Sequence, residues 1–130
     1  MPYYPASRTA EPCRFCDESG RTQLTVTTIA NAKVTHKLNC LVIKIETLSS
    51  SASGEQTATE NKVKMLHYTG WPDLAVPEAG ESIKGFTALV KQLLTHYTEA
   101  GSDVKRLAIV HCRLGHGRTG TLLTLFSRYL

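Results

Sequence analysis

The feature that most constrains the fold is the stretch IVHCRLGHGRTG, which spans Ile109–Gly120. A short apolar run ends in a cysteine, a loop with Gly115 and Gly117 follows, and a leucine-rich run begins directly afterwards. A buried strand, a glycine-containing loop and a helix start form an anion-binding arrangement, because the loop amides turn inward and the first helical N–H groups lack intrahelical partners. The stretch therefore predicts a bound anion. It lacks the Gly-Lys-Ser/Thr ending of nucleotide-binding loops.

Four side chains in this stretch carry the chemistry. A helix N-terminus and converging amides lower a thiol pKa, so Cys112 is predicted to be a thiolate that attacks a bound phosphorus atom. The planar guanidinium of Arg118 can hold two phosphate oxygens. Thr119 can donate a hydrogen bond to the sulfur, and His111 is expected to orient the loop. A buried cysteine followed by an exposed arginine is the alternative for residues taken singly.

Composition limits the classes of protein. A chain of 130 residues with 42% hydrophobic residues is expected to form one domain at most. The net charge of +4 suits acidic or phosphorylated partners. It is too small, and the basic residues are too scattered along the chain, to predict nucleic-acid binding. No secretory signal or membrane segment is apparent in the sequence, so a reducing, cytoplasmic compartment is the default expectation.

The hydrophobic pattern predicts strands in the first half and helices in the second. Residues 1–20 are expected to be an irregular lead-in, with CDESG as a turn. The remaining predicted non-helical segments are two strands in 22–48 that break near Ala30, Asn31 and Ala32, a polar loop at 49–60, a strand at 62–69, a loop at 70–80 and a buried strand at 106–110.

Two helices are predicted. The first begins at Glu81 and is expected to stop at Gly101, with apolar residues at steps of three and four: Ile83, Phe86, Leu89, Val90, Leu93 and Tyr97. The second begins at Thr119 and is apolar on more than one side, which predicts cover on more than one face.

The string His-Cys-x-x-Gly-x-x-Arg-Thr resembles the signature of the protein tyrosine phosphatase superfamily. WPDLAVP, residues 71–77, resembles the mobile acid loop of its tyrosine-specific branch, and YYP, VKMLHYTGWPD and LAIVHC occur in the order of that family. The resemblance implies an incomplete α/β fold, with a mixed twisted β-sheet, flanking α-helices and a strand–phosphate loop–helix active site.

The resemblance also implies roles. Cys112 would form a cysteinyl-phosphate, and Asp73 would protonate the leaving tyrosine oxygen and later activate water. Trp71 and Pro72 would form the hinge side of the acid loop. The phosphate would lie on amides of Arg113, Leu114, Gly115, His116, Gly117 and Arg118, with the Arg118 side chain clamping it. No metal or cofactor is implied, and the partners would be phosphotyrosine-containing proteins.

Several departures from the family pattern leave alternatives open. Ala75 replaces a usual glycine of the acid loop, which predicts an altered turn there. Arg113, Leu114 and His116 replace small or apolar residues, so a phosphoinositide or dual-specificity phosphatase is a second interpretation. Complete family domains are longer at both ends, so 21–130 is expected to be a partial catalytic domain. An inactive phosphotyrosine-binding remnant is a third interpretation. Poor solubility or marginal folding in isolation is expected, and the sequence leaves open whether the parent protein is cytosolic or receptor-type.

Cysteine spacing raises one further hypothesis. Cys13 and Cys16 form C-x-x-C, and His36 and Cys40 follow at H-x3-C, which together could supply four zinc ligands. His36 and Cys40 lie in a β-patterned run, however, where they are more typical of strand residues. Unremarkable thiols are the favoured interpretation, and a redox role for C-x-x-C is a further alternative.

Overall fold

The computed structural model describes residues 3–98 and 107–128, which form two compact units. The first unit contains residues 3–33 and 39–67, and the second contains residues 34–38, 68–98 and 107–128. In chain order the elements are β1 (Cys13–Cys16), β2 (Thr22–Thr35), β3 (Leu38–Ser50), β4 (Gln56–Tyr68), α1 (Glu81–Thr98) and α2 (Gly117–Phe126).

The four strands form one antiparallel sheet in the order β1-β2-β3-β4. Strand β1 pairs with β2 so that Cys13 lies opposite Val26 and Cys16 opposite Gln23. This short strand lies in the segment expected to be irregular, and the expectation is wrong for these four residues. The turn predicted at CDESG is confirmed: the Asp17 amide donates to the Thr22 carbonyl, and backbone and hydroxyl donors lower the pKa of the Asp17 carboxyl.

The turn between β2 and β3 lies at residues 36–37, which corrects the break predicted near residues 30–32. Asn31 continues β2, and its side-chain amide donates to the Ala6 carbonyl at 3.3 Å. A residue that is common in turns therefore stays in the strand because its polar side chain has a backbone partner there. His36 thus lies in the turn rather than in the strand.

The polar stretch 49–60 is mostly strand, which corrects the prediction of a loop. Only residues 51–55 lie between β3 and β4. The Ser51 amide donates to the Glu55 carbonyl at 2.8 Å, and Gly54 takes a φ of 85° that suits glycine. All side chains from Gln56 to Lys64 are exposed, so backbone pairing forms the strand without the apolar alternation that sequence patterning detects.

The core of the first unit contains the buried side chains of Val26, Leu41 and Ile43. Partly buried residues pack against it: Tyr4, Cys13, Ile45 and Met65. The Thr28 hydroxyl donates to the Pro5 carbonyl, which fixes the N-terminal YYP segment on this unit.

In the second unit, α1 begins at Glu81 as predicted. The Tyr97 and Phe126 rings lie 5.5 Å apart by their centroids, so α1 and α2 pack together. Leu89 is buried, whereas Ile83 is exposed and does not belong to the core stripe. The predicted stop at Gly101 lies outside the described residues. Helix α2 begins at Gly117, two residues earlier than predicted. Leu122 is buried, whereas Leu123 and Leu125 are exposed, so the described residues do not cover every apolar side of this helix.

Residues 107–112 form no regular secondary structure, which corrects the strand predicted at 106–110, whose first residue lies outside the described part. Ala108 and Val110 line a small cavity with Leu93 and Leu122, while Leu107 and Ile109 are 83% and 84% exposed. A strand requires hydrogen bonds to a neighbouring strand. The described sheet contains β1 to β4 alone, and residues 107–112 are not paired with any of them.

Gly70 connects β4 to the following loop and is required by close packing. A Cβ atom at this position would lie 2.6 Å from the Tyr68 ring, and the Tyr68 hydroxyl is held by its hydrogen bond to the Ser82 carbonyl at 2.7 Å. The ring therefore has little freedom to move away.

We expect Gly70→Ala to destabilise the protein by about 1–3 kcal/mol through overpacking. The measurement is the free energy of unfolding from denaturant titration followed by circular dichroism. Gly120→Ala is the matched control: its added Cβ meets open space within α2, so stability should be unchanged or raised by up to about 1 kcal/mol. Equal effects of the two substitutions would contradict the packing argument.

Candidate active site

The loop at residues 113–116 joins residues 107–112 to α2 and lies beside the Cys112 sulfur. Gly115 takes a φ of 75°, which lets the backbone turn back on itself. Residues 113–116 are exposed, and the backbone amides of Leu114 and Gly115 lie near enough to the Cys112 sulfur to lower its pKa. The N-cap residue His116 makes no side-chain cap, so the first amides of α2 are not satisfied by it.

The donors lower the pKa of the Cys112 thiol to about 6. The largest cause is the Thr119 hydroxyl, followed by the Thr119 amide, while the Gly115 and Leu114 amides contribute less and desolvation opposes them. The thiolate form of Cys112 is therefore favoured near neutral pH. The sequence-based expectation of a lowered pKa agrees with this geometry.

The Thr119 side chain is suited to a sulfur acceptor. Thr119 is buried, and within the described residues its hydroxyl has no hydrogen-bond partner of ordinary geometry. A buried hydroxyl without a partner is unfavourable. The anionic sulfur of Cys112 is the neighbour that can satisfy it, which explains why this hydroxyl is the largest cause of the lowered pKa.

Arg118 brings the two sequence motifs together. Its Nη1 donates to the Trp71 carbonyl at 3.0 Å, and its Nη2 donates to Asp73 Oδ1 at 2.9 Å. The guanidinium thus connects the first turn of α2 to the loop after β4. The Asp73 side chain is 53% exposed, and its other oxygen, Oδ2, lies 3.8 Å from Nη1 of Arg113.

The acid loop is closed internally by its tryptophan. The Trp71 indole Nε1 donates to the Ala75 carbonyl at 2.7 Å, and its ring packs edge-on against Phe86 at 5.6 Å between centroids. Among the described non-glycine residues, Leu74 has a positive φ, at 56°. The left-handed position of the turn therefore falls on Leu74, so Ala75 does not need the conformational freedom of the glycine it replaces.

Two further predicted site residues are exposed at the surface. Pro72 is exposed next to Trp71, and His111 is exposed next to Cys112.

Within residues 3–98 and 107–128, no three His, Cys, Asp or Glu side chains come together as a metal site would require, so the zinc hypothesis gains no support. The four cysteines carry free thiols. No described helix is both long and apolar enough to cross a membrane.

Sequence reasoning missed two contacts. The first is the ion pair of Arg113 with Asp73, and the second is the packing of Phe86 against Trp71. Opposite charges in the two motifs were a signal for the first, although their proximity depends on the fold. The packing of Phe86 against Trp71 depends on which face of α1 lies against residues 71–77, and the sequence does not specify that face.

The chain is similar in sequence to known protein-tyrosine phosphatases. A family model described as protein-tyrosine phosphatase matches residues 2–128. Human receptor-type tyrosine-protein phosphatase H is 40% identical over 63 residues, which is 48% of this chain and 5% of that protein. The rat receptor-type tyrosine-protein phosphatase V is 41% identical over 73 residues, covering 54% and 4%.

Human receptor-type tyrosine-protein phosphatase epsilon is 30% identical over 104 residues, covering 71% of this chain and 14% of that protein. The chain thus spans only a small part of the length of these relatives.

We expect Thr119→Val to raise the pKa of Cys112 by about one pH unit, because the substitution removes the strongest donor to the thiolate and leaves the amides in place. The measurement is the alkylation rate of Cys112 by iodoacetamide against pH, followed by peptide mass spectrometry. Thr121→Val is the matched control, since its hydroxyl donates to the Gly117 carbonyl within α2. An unchanged alkylation profile for Thr119→Val would contradict the assignment.

Proposed function

Because the chain belongs to the protein-tyrosine phosphatase family, we propose that it hydrolyses phosphotyrosine in proteins through a cysteinyl-phosphate intermediate. The observation that carries the proposal is the pair of hydrogen bonds from Arg118 to the Trp71 carbonyl and the Asp73 carboxylate. These bonds bring an acid to the same loop that surrounds a cysteine of lowered pKa.

In the first step, the Cys112 thiolate attacks the phosphorus atom of phosphotyrosine. The P–S bond forms, the P–O bond to tyrosine breaks, and protonated Asp73 gives its proton to the departing phenolic oxygen. Loop amides of residues 113–118 hold the phosphate oxygens, and the Arg118 fork binds two of them as charge develops. The substrate phosphate takes over the Arg118 donor that Asp73 holds in the ligand-free site.

In the second step, water attacks the phosphorus atom of the cysteinyl-phosphate. Asp73, now a carboxylate, accepts a proton from that water, and the P–S bond breaks to release inorganic phosphate and the Cys112 thiolate. The Thr119 hydroxyl donates to the departing sulfur, which stabilises the thiolate as a leaving group. Trp71 and Pro72 serve as the hinge side of the acid loop, and His111 supports the phosphate loop.

The second interpretation, a phosphoinositide or dual-specificity phosphatase, rested on Arg113 and His116. Arg113 lies 3.8 Å from the Asp73 carboxylate, so its charge faces the proposed acid. This contact favours phosphotyrosine chemistry over recognition of additional phosphates by that side chain. The presence of Cys112, Arg118 and Asp73 in one site likewise supports an enzyme over a binding remnant.

We expect Cys112→Ser to abolish phosphate release from a phosphotyrosyl peptide, because serine is not ionised at neutral pH and lacks the reactive thiolate. Asp73→Asn should lower kcat by about 100-fold or more, since it removes the proton donor and acceptor. The measurement is release of inorganic phosphate under saturating peptide.

Glu78→Gln is the matched control for Asp73→Asn, because it removes an exposed carboxylate from the same loop. Phosphate release that persists in Cys112→Ser would overturn the mechanism. Peptide binding without turnover by the unaltered chain would support the remnant interpretation, and preferential turnover of a soluble inositol phosphate would support the second one.

A further inference from the structure

The proposed acid is contacted by two arginines of one loop. Arg118 holds Oδ1 of Asp73 at 2.9 Å, while Arg113 lies 3.8 Å from Oδ2. The two guanidiniums therefore approach different oxygens of the same carboxylate, and their charges favour its position above the phosphate loop.

The two arginines differ in their freedom. The Arg118 side chain is 27% exposed and is also anchored by the Trp71 carbonyl, whereas the Arg113 side chain is 79% exposed. Arg118 is thus fixed where a phosphate would bind, while Arg113 can follow a moving carboxylate.

Phosphate binding creates a competition at Arg118. A phosphate dianion and the Asp73 carboxylate both require Nη2, and the dianion carries the larger charge. Once the phosphate takes this donor, Asp73 loses its closest hydrogen-bond donor, both as a carboxylate beside inorganic phosphate and as the protonated acid of the first step. Arg113 is then the cation that is already near Asp73.

We propose that Arg113 is a positioning residue, which keeps Asp73 over the phosphate loop when the substrate phosphate displaces it from Arg118. This inference rests on the proposed function for its catalytic consequence. Its conformational part stands on the two ion pairs of Asp73 alone.

Trp71 offers a direct readout of the acid loop. It is the only tryptophan in the chain, its carbonyl accepts from Arg118, and its indole donates to the Ala75 carbonyl. Release of the loop should therefore increase quenching of tryptophan fluorescence by acrylamide.

The conformational experiment compares Arg113→Ala, Arg113→Lys and the unaltered chain, without and with saturating inorganic phosphate. Lys91→Ala is the control, since it removes an equal charge from the exposed surface of α1. Because an exposed ion pair shifts an equilibrium by only about two- to five-fold, we expect Arg113→Ala to raise the quenching constant by about two-fold. The increase should occur only with phosphate, and Arg113→Lys should restore the unaltered value.

An equal increase without phosphate would show a structural role and overturn the proposal. No increase at all, or no phosphate binding by the unaltered chain in a Cys112 alkylation-protection assay, would overturn it as well, because the displacement of Asp73 requires an anion at Arg118.

The catalytic experiment uses two aryl phosphates of different leaving groups. Protonation by Asp73 matters for phenyl phosphate and much less for 2,4-dinitrophenyl phosphate, whose phenolate departs readily. We expect Arg113→Ala to lower the ratio of kcat/KM for phenyl phosphate to kcat/KM for dinitrophenyl phosphate by about two- to five-fold, because kcat/KM reports the step that forms the cysteinyl-phosphate. An unchanged ratio would overturn the catalytic part. Absence of turnover in all variants, with the quenching difference present, would reject the proposed function and retain the positioning role.

Discussion

The site depends on the guanidinium of Arg118. Its two bonds, to the Trp71 carbonyl and the Asp73 carboxylate, join segments that are more than forty residues apart in the chain. Because the guanidinium is planar and its donors have a fixed spacing, these bonds set the position of the loop backbone and of the carboxylate at once. A lysine could supply the charge but not this paired geometry.

The next residue along the same helical turn serves the sulfur. The hydroxyl and the amide of Thr119 are the two largest causes of the lowered pKa of Cys112. The first turn of α2 therefore contributes to the position of the Asp73 carboxylate through Arg118 and to the pKa of Cys112 through Thr119. A shift of this turn would disturb both groups together, which is why the packing of α2 against α1 matters for the chemistry.

Short-range patterns predicted much of the fold and most of the site. The helix start at Glu81 and a loop between Cys112 and the second helix follow from periodicity and a motif string, whereas the direct contact of Asp73 with Arg118 comes from the structure alone. The errors share a physical cause: the structure of β1, the polar half of β4 and the irregular segment 107–112 depends on whether their backbone pairs with a neighbouring strand, which local hydropathy does not report. The contact of Arg113 with Asp73 was missed because it joins two loops that lie far apart in the sequence.

Leu74 is a strained position in the loop that carries Asp73. Its left-handed backbone costs a leucine about 1–2 kcal/mol, and its side chain stands fully in solvent, so no apolar packing offsets that cost. An exposed ion pair contributes at most about 1 kcal/mol. The strain at Leu74 thus opposes the contacts that Arg118 makes with Trp71 and Asp73, so it lowers the free energy needed to separate this loop from α2.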